Sequence, residues 1–521
     1  MKFTVILILF TPCFLISAFR PARNLMKETF YKTSYDVKEY GAKGDGTTPD
    51  NESINKAIDA ASAAGGGTVY FPAGTYLSFS IHLKNNISLY LDQGATILAA
   101  DPSVTKGGYD PAEPNESDKF QDFGHSHWQN SLIWGIGLEN ISILGPGMIN
   151  GKGLTREAVK TPGVANKAIS LKLCRNVILR DFSILMGGHF AILATAVDNL
   201  TVNNLKIDTN RDGIDIDCCK NVRVSDCTVN SPWDDAICLK SSYGLGYARP
   251  TENVTITNCM VSGFDRGTLM NGTNRRLEGN NTVPDHAGVT GRIKFGTESN
   301  GGFKNITISN CVFEFCRGLA LETVDGGLLE DVTITNITMR DIVSSPIFLR
   351  LGARMRGPAG TPVGSLRRII ISNINVYNAD PKYAAMISGI PGHDIEEVKL
   401  ENIRIIYQGG GTKEQAALNL PEKEKEYPDP VMFGVTPAYG FYIRHVSGLE
   451  MNNIDIRYMK DDLRPAFILN EVKDARFSRM KVQHAPVTAA IILNNVNNFS
   501  IKESGVIPDS KFAGIINKEI H

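Results

Sequence analysis

Three acidic residues on two short segments are the part of this chain best suited to chemistry. Asn210-Arg-Asp-Gly-Ile-Asp-Ile-Asp and Pro232-Trp-Asp-Asp-Ala-Ile-Cys-Leu-Lys-Ser each run from polar residues into an apolar alternation. With the apolar positions set in register, Ile214 and Ile216 fall on Ile237 and Leu239. Asp212 then lies over Asp235, with Asp234 beside it, on strands about 4.7–4.9 Å apart. Carboxylates that close push one another's pKa values apart, so one keeps its proton near neutral pH. A protonated acid beside ionised bases is what cleavage of a glycosidic bond requires. Asp-Gly and Asp-Asp are also ordinary turn residues. Their coincidence on neighbouring segments favours chemistry, with Trp233 adjacent as a surface for a sugar ring.

Such a register needs a repeating scaffold, and the chain has one. Eleven times between Arg175 and Ser500 it writes a polar pair followed by alternating residues: Arg175-Asn-Val-Ile-Leu, Asp198-Asn-Leu-Thr-Val, Lys220-Asn-Val-Arg-Val, Glu252-Asn-Val-Thr-Ile and onward. The closest copies are 22 to 26 residues apart. Period-two alternation means half-buried strands, and a fixed spacing means stacked turns. One turn cannot bury its apolar face alone, so the turns coil on one another. The expected fold is all-β, a right-handed parallel β-helix whose long lateral groove suits a linear polymer. Residues 54–64 carry apolar positions at helical spacing and predict a capping helix over the first coil. Residues 30–521 are expected to form this single catalytic domain, with long insertions at 263–303, 341–366 and 406–446 gathered on the binding face. The first holds Arg275, Arg276, Asp285 and His286; the last holds Gly409-Gly-Gly and Glu422-Lys-Glu-Lys-Glu, read as a solvated loop.

Residues 1–22 read as an export signal: Lys2, an apolar run from Phe3 to Phe10, then Phe14 to Ala18 and two arginines. Pro12 and the short length argue against a stable membrane span, so a periplasmic or extracellular location is expected. A net charge of −1 gives no global pull toward nucleic acid. Cys174, Cys227, Cys259 and Cys311 recur at similar points of successive repeats, as buried stacked thiols would.

Residues 35–340 resemble glycoside hydrolase family 28, the polygalacturonase-like enzymes. The resemblance is carried by Tyr40-Gly-Ala-Lys-Gly-Asp-Gly, Gly145-Pro-Gly-Met-Ile-Asn-Gly-Lys-Gly, Asn210-Arg-Asp-Gly and Asp234-Asp235. It implies that Asp212 and Asp235 activate water, that Asp234 protonates the leaving oxygen, that configuration inverts, and that neither cofactor nor metal is needed.

Two features depart from that family. Its Gly-His-Gly turn is matched by Thr290-Gly-Arg-Ile-Lys-Phe-Gly-Thr-Glu, with no histidine in register. Its Arg-Ile-Lys clamp for a uronate carboxylate is matched by Leu319-Ala-Leu-Glu-Thr, so Ala320 and Glu322 stand where two cations would. Glu322 registers on Arg350, with Arg354 and Arg356 following, while Arg292 and Lys294 lie one turn before it. The candidate substrate-binding residues are therefore Arg292, Lys294, Glu322, Arg350, Trp233 and Lys240, although Asp217, Lys240, Glu322 and Arg350 could equally form an outer charge ladder. His125, His127 and Trp128 are candidates to line the groove, and His286 to approach it from its loop. The expected activity is an exported inverting hydrolase of pectic polysaccharide or oligosaccharide, of exo-galacturonidase or rhamnogalacturonan type. Two other readings are a polysaccharide lyase, with Asp215 and Asp217 supplying oxygens to Ca²⁺, and a non-catalytic carbohydrate-binding β-helix.

Overall fold

The computed structural model describes residues 34–121, 123–157, 161–277, 288–505 and 507–521. The export segment 1–22 and the loop residues Asp285 and His286 lie outside the described residues.

From Ser34 onward the chain is a right-handed parallel β-helix: among the described strands, neighbouring turns pair in parallel, and the last strand alone pairs antiparallel. The polar pair of the repeat explains how each turn closes. Its second residue, at Asn140, Asn176, Asn199, Asn221, Asn253, Asn305 and Asp331, has φ between 55° and 58°. Asn and Asp tolerate this left-handed bend better than other side-chain-bearing residues. Their amides then bond from coil to coil: Asn176 donates to Asn140 at 2.9 Å, Asn199 to Asn176 at 3.0 Å, Asn221 to Asn199 at 3.2 Å and Asn253 to Asn221 at 3.0 Å.

The next apolar position points inward. Val177, Leu200, Val222, Val254, Ile306, Val332, Ile369, Val398 and Leu449 stack directly in register. All are buried, and each contributes on the order of 1.5–3 kcal/mol. The expected helix spans Asn51–Ala63, with Ile54, Ala57, Ile58 and Ala61 buried against the strands Ser34–Asp36, Gly67–Phe71 and Ile81–His82. At the other end, Ser510–Ile520 turns back antiparallel along Ile491–Lys502, covering an edge that would otherwise expose unpaired backbone. The eight described cysteines are free and buried.

One run of strands differs from the rest. Phe190–Thr195, Asp212–Asp217, Ile237–Ser241, Ile293–Ser299, Leu319–Thr323 and Ile347–Leu351 are buried on both faces. Loops cover their outer side, which concentrates polar groups in a shielded place. All three segments expected as insertions contain part of the coil itself, 406–446 holding the end of Ile395–Gly409 and the start of Phe441–Lys460. Ile293–Ser299 falls inside 263–303, and Ile347–Leu351 falls inside 341–366. A charged or irregular sequence around each of these strands masks its alternation. The rest of 406–446 is an insertion with two short helices, Lys413–Ala416 and Pro430–Phe433.

Candidate active site

The coil brings Asp212, Asp234 and Asp235 together. Ile214 pairs with Ile237 and Ile216 with Leu239, and the Gly213 amide donates to the Asp235 carbonyl at 3.0 Å. A Cβ at Gly213 would lie 2.5 Å from both Val229 Cγ1 and the Ala236 carbonyl oxygen, so only glycine lets the two turns meet this closely. Oxygen atoms of the three carboxylates lie within 4.8 Å of one another.

Their surroundings differ. Asp235 is buried, yet Arg292 Nε donates to it at 2.9 Å and Lys294 Nζ lies 3.4 Å away. Burial alone would raise its pKa; Lys294 and Arg292 outweigh burial and hold it below the usual carboxylate range. Asp212 feels one cation, Lys240, which does not outweigh the rest. Burial first, then Asp215 and Asp234, push it well above that range, and its Oδ1 is buried without a hydrogen-bond partner. Burial and the neighbouring carboxylates thus favour a proton on Asp212, and the two cations favour the ionised form of Asp235. Asp234 is the most open of the three, its side chain 13% exposed, and accepts from Arg211 at 2.6 Å.

The cations foreseen for substrate are largely engaged by the protein. Arg292 also faces Asp429 at 3.4 Å and Glu322 at 3.9 Å. Lys294 lies 3.6 Å from Glu322 and donates to the Tyr427 hydroxyl at 3.0 Å. Lys240 sits between Asp215 at 3.7 Å and Glu298 at 3.4 Å, a ladder position. Arg350 registers on Glu322 as expected, but its guanidinium points elsewhere. It donates to Ser388 Oγ at 2.7 Å and to the carbonyls of Glu422 and Lys423 at 2.9 and 3.0 Å. Arg350 thus fastens the inserted loop and corrects the expectation of a substrate contact. The run 422–426, read as solvated, is anchored by these bonds at its start.

Arg354 pairs with Asp325 at 2.5 Å, and the Arg356 amide donates to Asp325 at 3.0 Å. His125 reaches the acidic group, 3.7 Å from Asp215 and 3.9 Å from Glu298. Trp128 does not line a surface; it is fully buried beneath the Lys172 ammonium, 3.7 Å from its ring. Trp233 is half-buried, with the guanidinium of Arg266 at 4.9 Å and that of Arg156 at 5.6 Å from its ring. Sequence reasoning missed Glu298, Arg317, Tyr427 and Asp429. Glu298 was hidden by a register shift, since Leu239 pairs with Phe295 but Ser241 with Ser299. The other useful signal was that insertions gather on a binding face; Tyr427 and Asp429 belong to such an insertion.

Both oxygens of Asp215 and of Glu322 and both ring nitrogens of His125 are buried without hydrogen-bond partners. Buried polar groups are normally satisfied, and hydroxyls of a carbohydrate would complete these. A cation suits the site less well. Asp217 already accepts from the Ser242 amide and hydroxyl, both at 2.7 Å, while Lys240 and His125 face Asp215. The larger concavities lie away from the trio. One of about 650 Å³ lies beside Tyr442, Asn470 and Asn494 and one of about 640 Å³ beside Asp331 and Glu450; acids there, such as Asp331 and Glu450, are paired with Arg368 and Arg476 near the surface, so the buried carboxylate cluster rather than volume identifies the site.

Glu322 supplies a pH test. Burial raises its pKa to about 7 against the pull of Lys294 and Arg292. Between its ordinary value and 7 the unfolded chain has lost this proton and the folded chain keeps it, so stability falls as pH rises through that window. Glu322→Gln is expected to flatten this part of the profile of Tm against pH. Identical profiles for the variant and the parent would refute the assignment.

The family described as rhamnogalacturonase A/epimerase, pectate lyase-like, matches residues 34–265. A probable polygalacturonase of Vitis vinifera is 24% identical over 375 residues, covering 66% of this chain and 74% of that protein. An exo-poly-alpha-D-galacturonosidase of Dickeya chrysanthemi is 27% identical over 216 residues, 40% of this chain and 34% of its own length. The solved family 28 exopolygalacturonase of Yersinia enterocolitica superposes with a TM-score of 0.62 at 19% identity, over 85% of this chain and 78% of that one; this likeness is one of fold.

Proposed function

We propose that this chain is a divergent polygalacturonase-like protein of the glycoside hydrolase family 28 type, and that it hydrolyses glycosidic bonds in pectic polysaccharide or oligosaccharide, a reading that the matched family and the polygalacturonase relatives support. One observation carries the reading: a proton-holding Asp212, an ionised Asp235 and a more open Asp234 meet within 4.8 Å. Asp234 is the carboxyl that an incoming glycosidic oxygen reaches; it takes the proton that Asp212 holds and passes it to that oxygen as the C–O bond breaks. Asp235 takes a proton from water as the water oxygen bonds to the anomeric carbon. Asp212, left ionised beside Asp235, then takes over the proton gained from water, which restores the cluster. The inserted loop, joined to Lys294 through Tyr427, closes over the groove and supports attack at a chain end. The pattern of residues 1–22 supports export.

The resemblance supports inversion, while carboxylates this close have the spacing more usual in retaining enzymes, about 5–5.5 Å rather than about 6.5–9.5 Å. The first anomer released is therefore the decisive readout. Purified protein given defined pectic oligosaccharides is expected to release reducing ends with inverted configuration by ¹H NMR, in chelator as well as without it. An unsaturated uronate chromophore in the product would replace the reading with the lyase, and the absence of any bond cleavage would leave a binding β-helix.

A further inference from the structure

We propose that the last coils carry a second carbohydrate-binding site, for an uncharged pyranose chain, on the far side of the inserted loop from the carboxylate trio.

The face that bears the trio continues well beyond it. It runs from Ile237–Ser241 through Ile293–Ser299, Leu319–Thr323, Ile347–Leu351 and Ala385–Ser388 to Phe441–Lys460. Five steps separate the ends of this run, about 24 Å at the spacing of paired strands. The column that carries Asp215 and Lys294 turns apolar along the way: Phe348, Met386, Tyr442, Ile468 and Ile492 follow in register. These residues form an apolar cluster separate from the core, and the inserted loop lays Leu420, Phe433 and Ala438 on it. The loop ends before the column does. Ile492 is left half-buried, and a cavity of about 650 Å³ opens there, within the range of small-ligand sites.

The sides of this cavity are polar and held in place. Arg444, Asn470 and Asn494 stack in the neighbouring outward column. The Asn494 amide donates to Asn470 at 2.8 Å, and the Asn470 amide donates to the Tyr442 hydroxyl at 2.8 Å. This chain of bonds fixes both amides, while the Tyr442 hydroxyl still has a proton to give and Asn494 is exposed. Arg444 pins the facing wall by donating to the carbonyls of Leu420 at 3.1 Å, Pro421 at 2.9 Å and Glu422 at 3.1 Å.

Charge selects the ligand. Arg444 is matched by Glu422 at 3.3 Å, and His445 lies between Glu422 at 3.1 Å and Glu471 at 3.3 Å. An anion would meet these two carboxylates and no spare cation, so a uronate is disfavoured. Amides that both donate and accept, set beside an aliphatic floor, suit the hydroxyls and the C–H face of an uncharged pyranose. A polymer held here and at the acids would gain from effective concentration.

Calorimetry on full-length Asp234→Asn tests the site, with tetrasaccharides of galactose, glucose and xylose as uncharged probes and galacturonate tetrasaccharide as control. At least one uncharged probe is expected to bind. Adding Asn470→Leu and Asn494→Leu, which keep side-chain size but remove the amides, should weaken that binding about 10-fold or more and leave galacturonate binding unchanged. Ile492→Lys, which fills the floor from a half-buried outward position, should do the same and serves if the first variant misfolds. Failure of all three uncharged probes to bind, or equal binding in both variants, would overturn the proposal. So would galacturonate binding that falls with the two asparagines. With Asp234 intact, the asparagine variant should raise KM about 10-fold on a pectic polymer bearing neutral side chains, and leave a short oligosaccharide unaffected. A parent that binds an uncharged probe through these residues yet cleaves nothing refutes the hydrolase reading and leaves this site standing.

Discussion

Asp212→Asn is expected to lower kcat by about 10²–10⁴-fold while leaving Tm at pH 7 no lower than that of the parent. The two halves of this result have one cause. Asp212 is buried with Asp215 and Asp234 nearby, and its carboxyl titrates well above the ordinary range. The unfolded chain loses that proton at an ordinary carboxylate pKa, so stability falls as pH rises from there toward the raised value. An amide occupies almost the same volume, carries no charge and removes that slope. What it cannot do is give up and regain a proton as the reacting groups change charge. Activity measured on a pectic oligosaccharide, with thermal unfolding at pH 4 and pH 7, checks both halves. Full activity in the variant would remove Asp212 from the chemistry, and a markedly lower Tm at pH 7 would show that the carboxylate form is the one the fold requires.

Asp429→Ala is expected to cost about 3–5 kcal/mol of stability, the range for removing one partner of a buried ion pair, and to reduce kcat/KM by more than 10-fold. Asp429 lies on the inserted loop and receives Arg317 and, at 3.4 Å, Arg292. It also accepts from the Val431 amide at 3.0 Å, beginning the short helix Pro430–Phe433. Burial would raise its pKa, but Arg317 and Arg292 outweigh burial and hold it at about 2. Its contribution is therefore complete above the ordinary carboxylate pKa and fades as pH falls toward 2. Alanine leaves two guanidinium groups short of a counter-charge and frees the loop whose Tyr427 meets Lys294. Asp429→Asn, which keeps the shape and the acceptor for Val431, should lose less. Urea unfolding of both variants, with kcat/KM on the same substrate, checks the order. An unchanged midpoint and unchanged kcat/KM in Asp429→Ala would mean that the loop is held by other contacts.

Sequence alone determined whatever repeats. The left-handed second residue of each polar pair, the inward stack from Val177 to Leu449, and the placing of Ile214 on Ile237 follow from a turn of nearly constant length. A strand must align with the one below it or expose its apolar face, and that constraint alone carried Asp212 over Asp235. Tertiary structure decided what has no period. The destination of a cation depends on which carboxylate an insertion brings within about 4 Å, and insertions obey no register. Arg350 accordingly fastened a loop instead of facing the groove, Asp429 arrived from the loop 406–446 to meet Arg292, and a two-residue shift after Phe295 carried Glu298 to Lys240. The same contrast holds within the site: Glu322 and Lys294 meet because neighbouring coils stack.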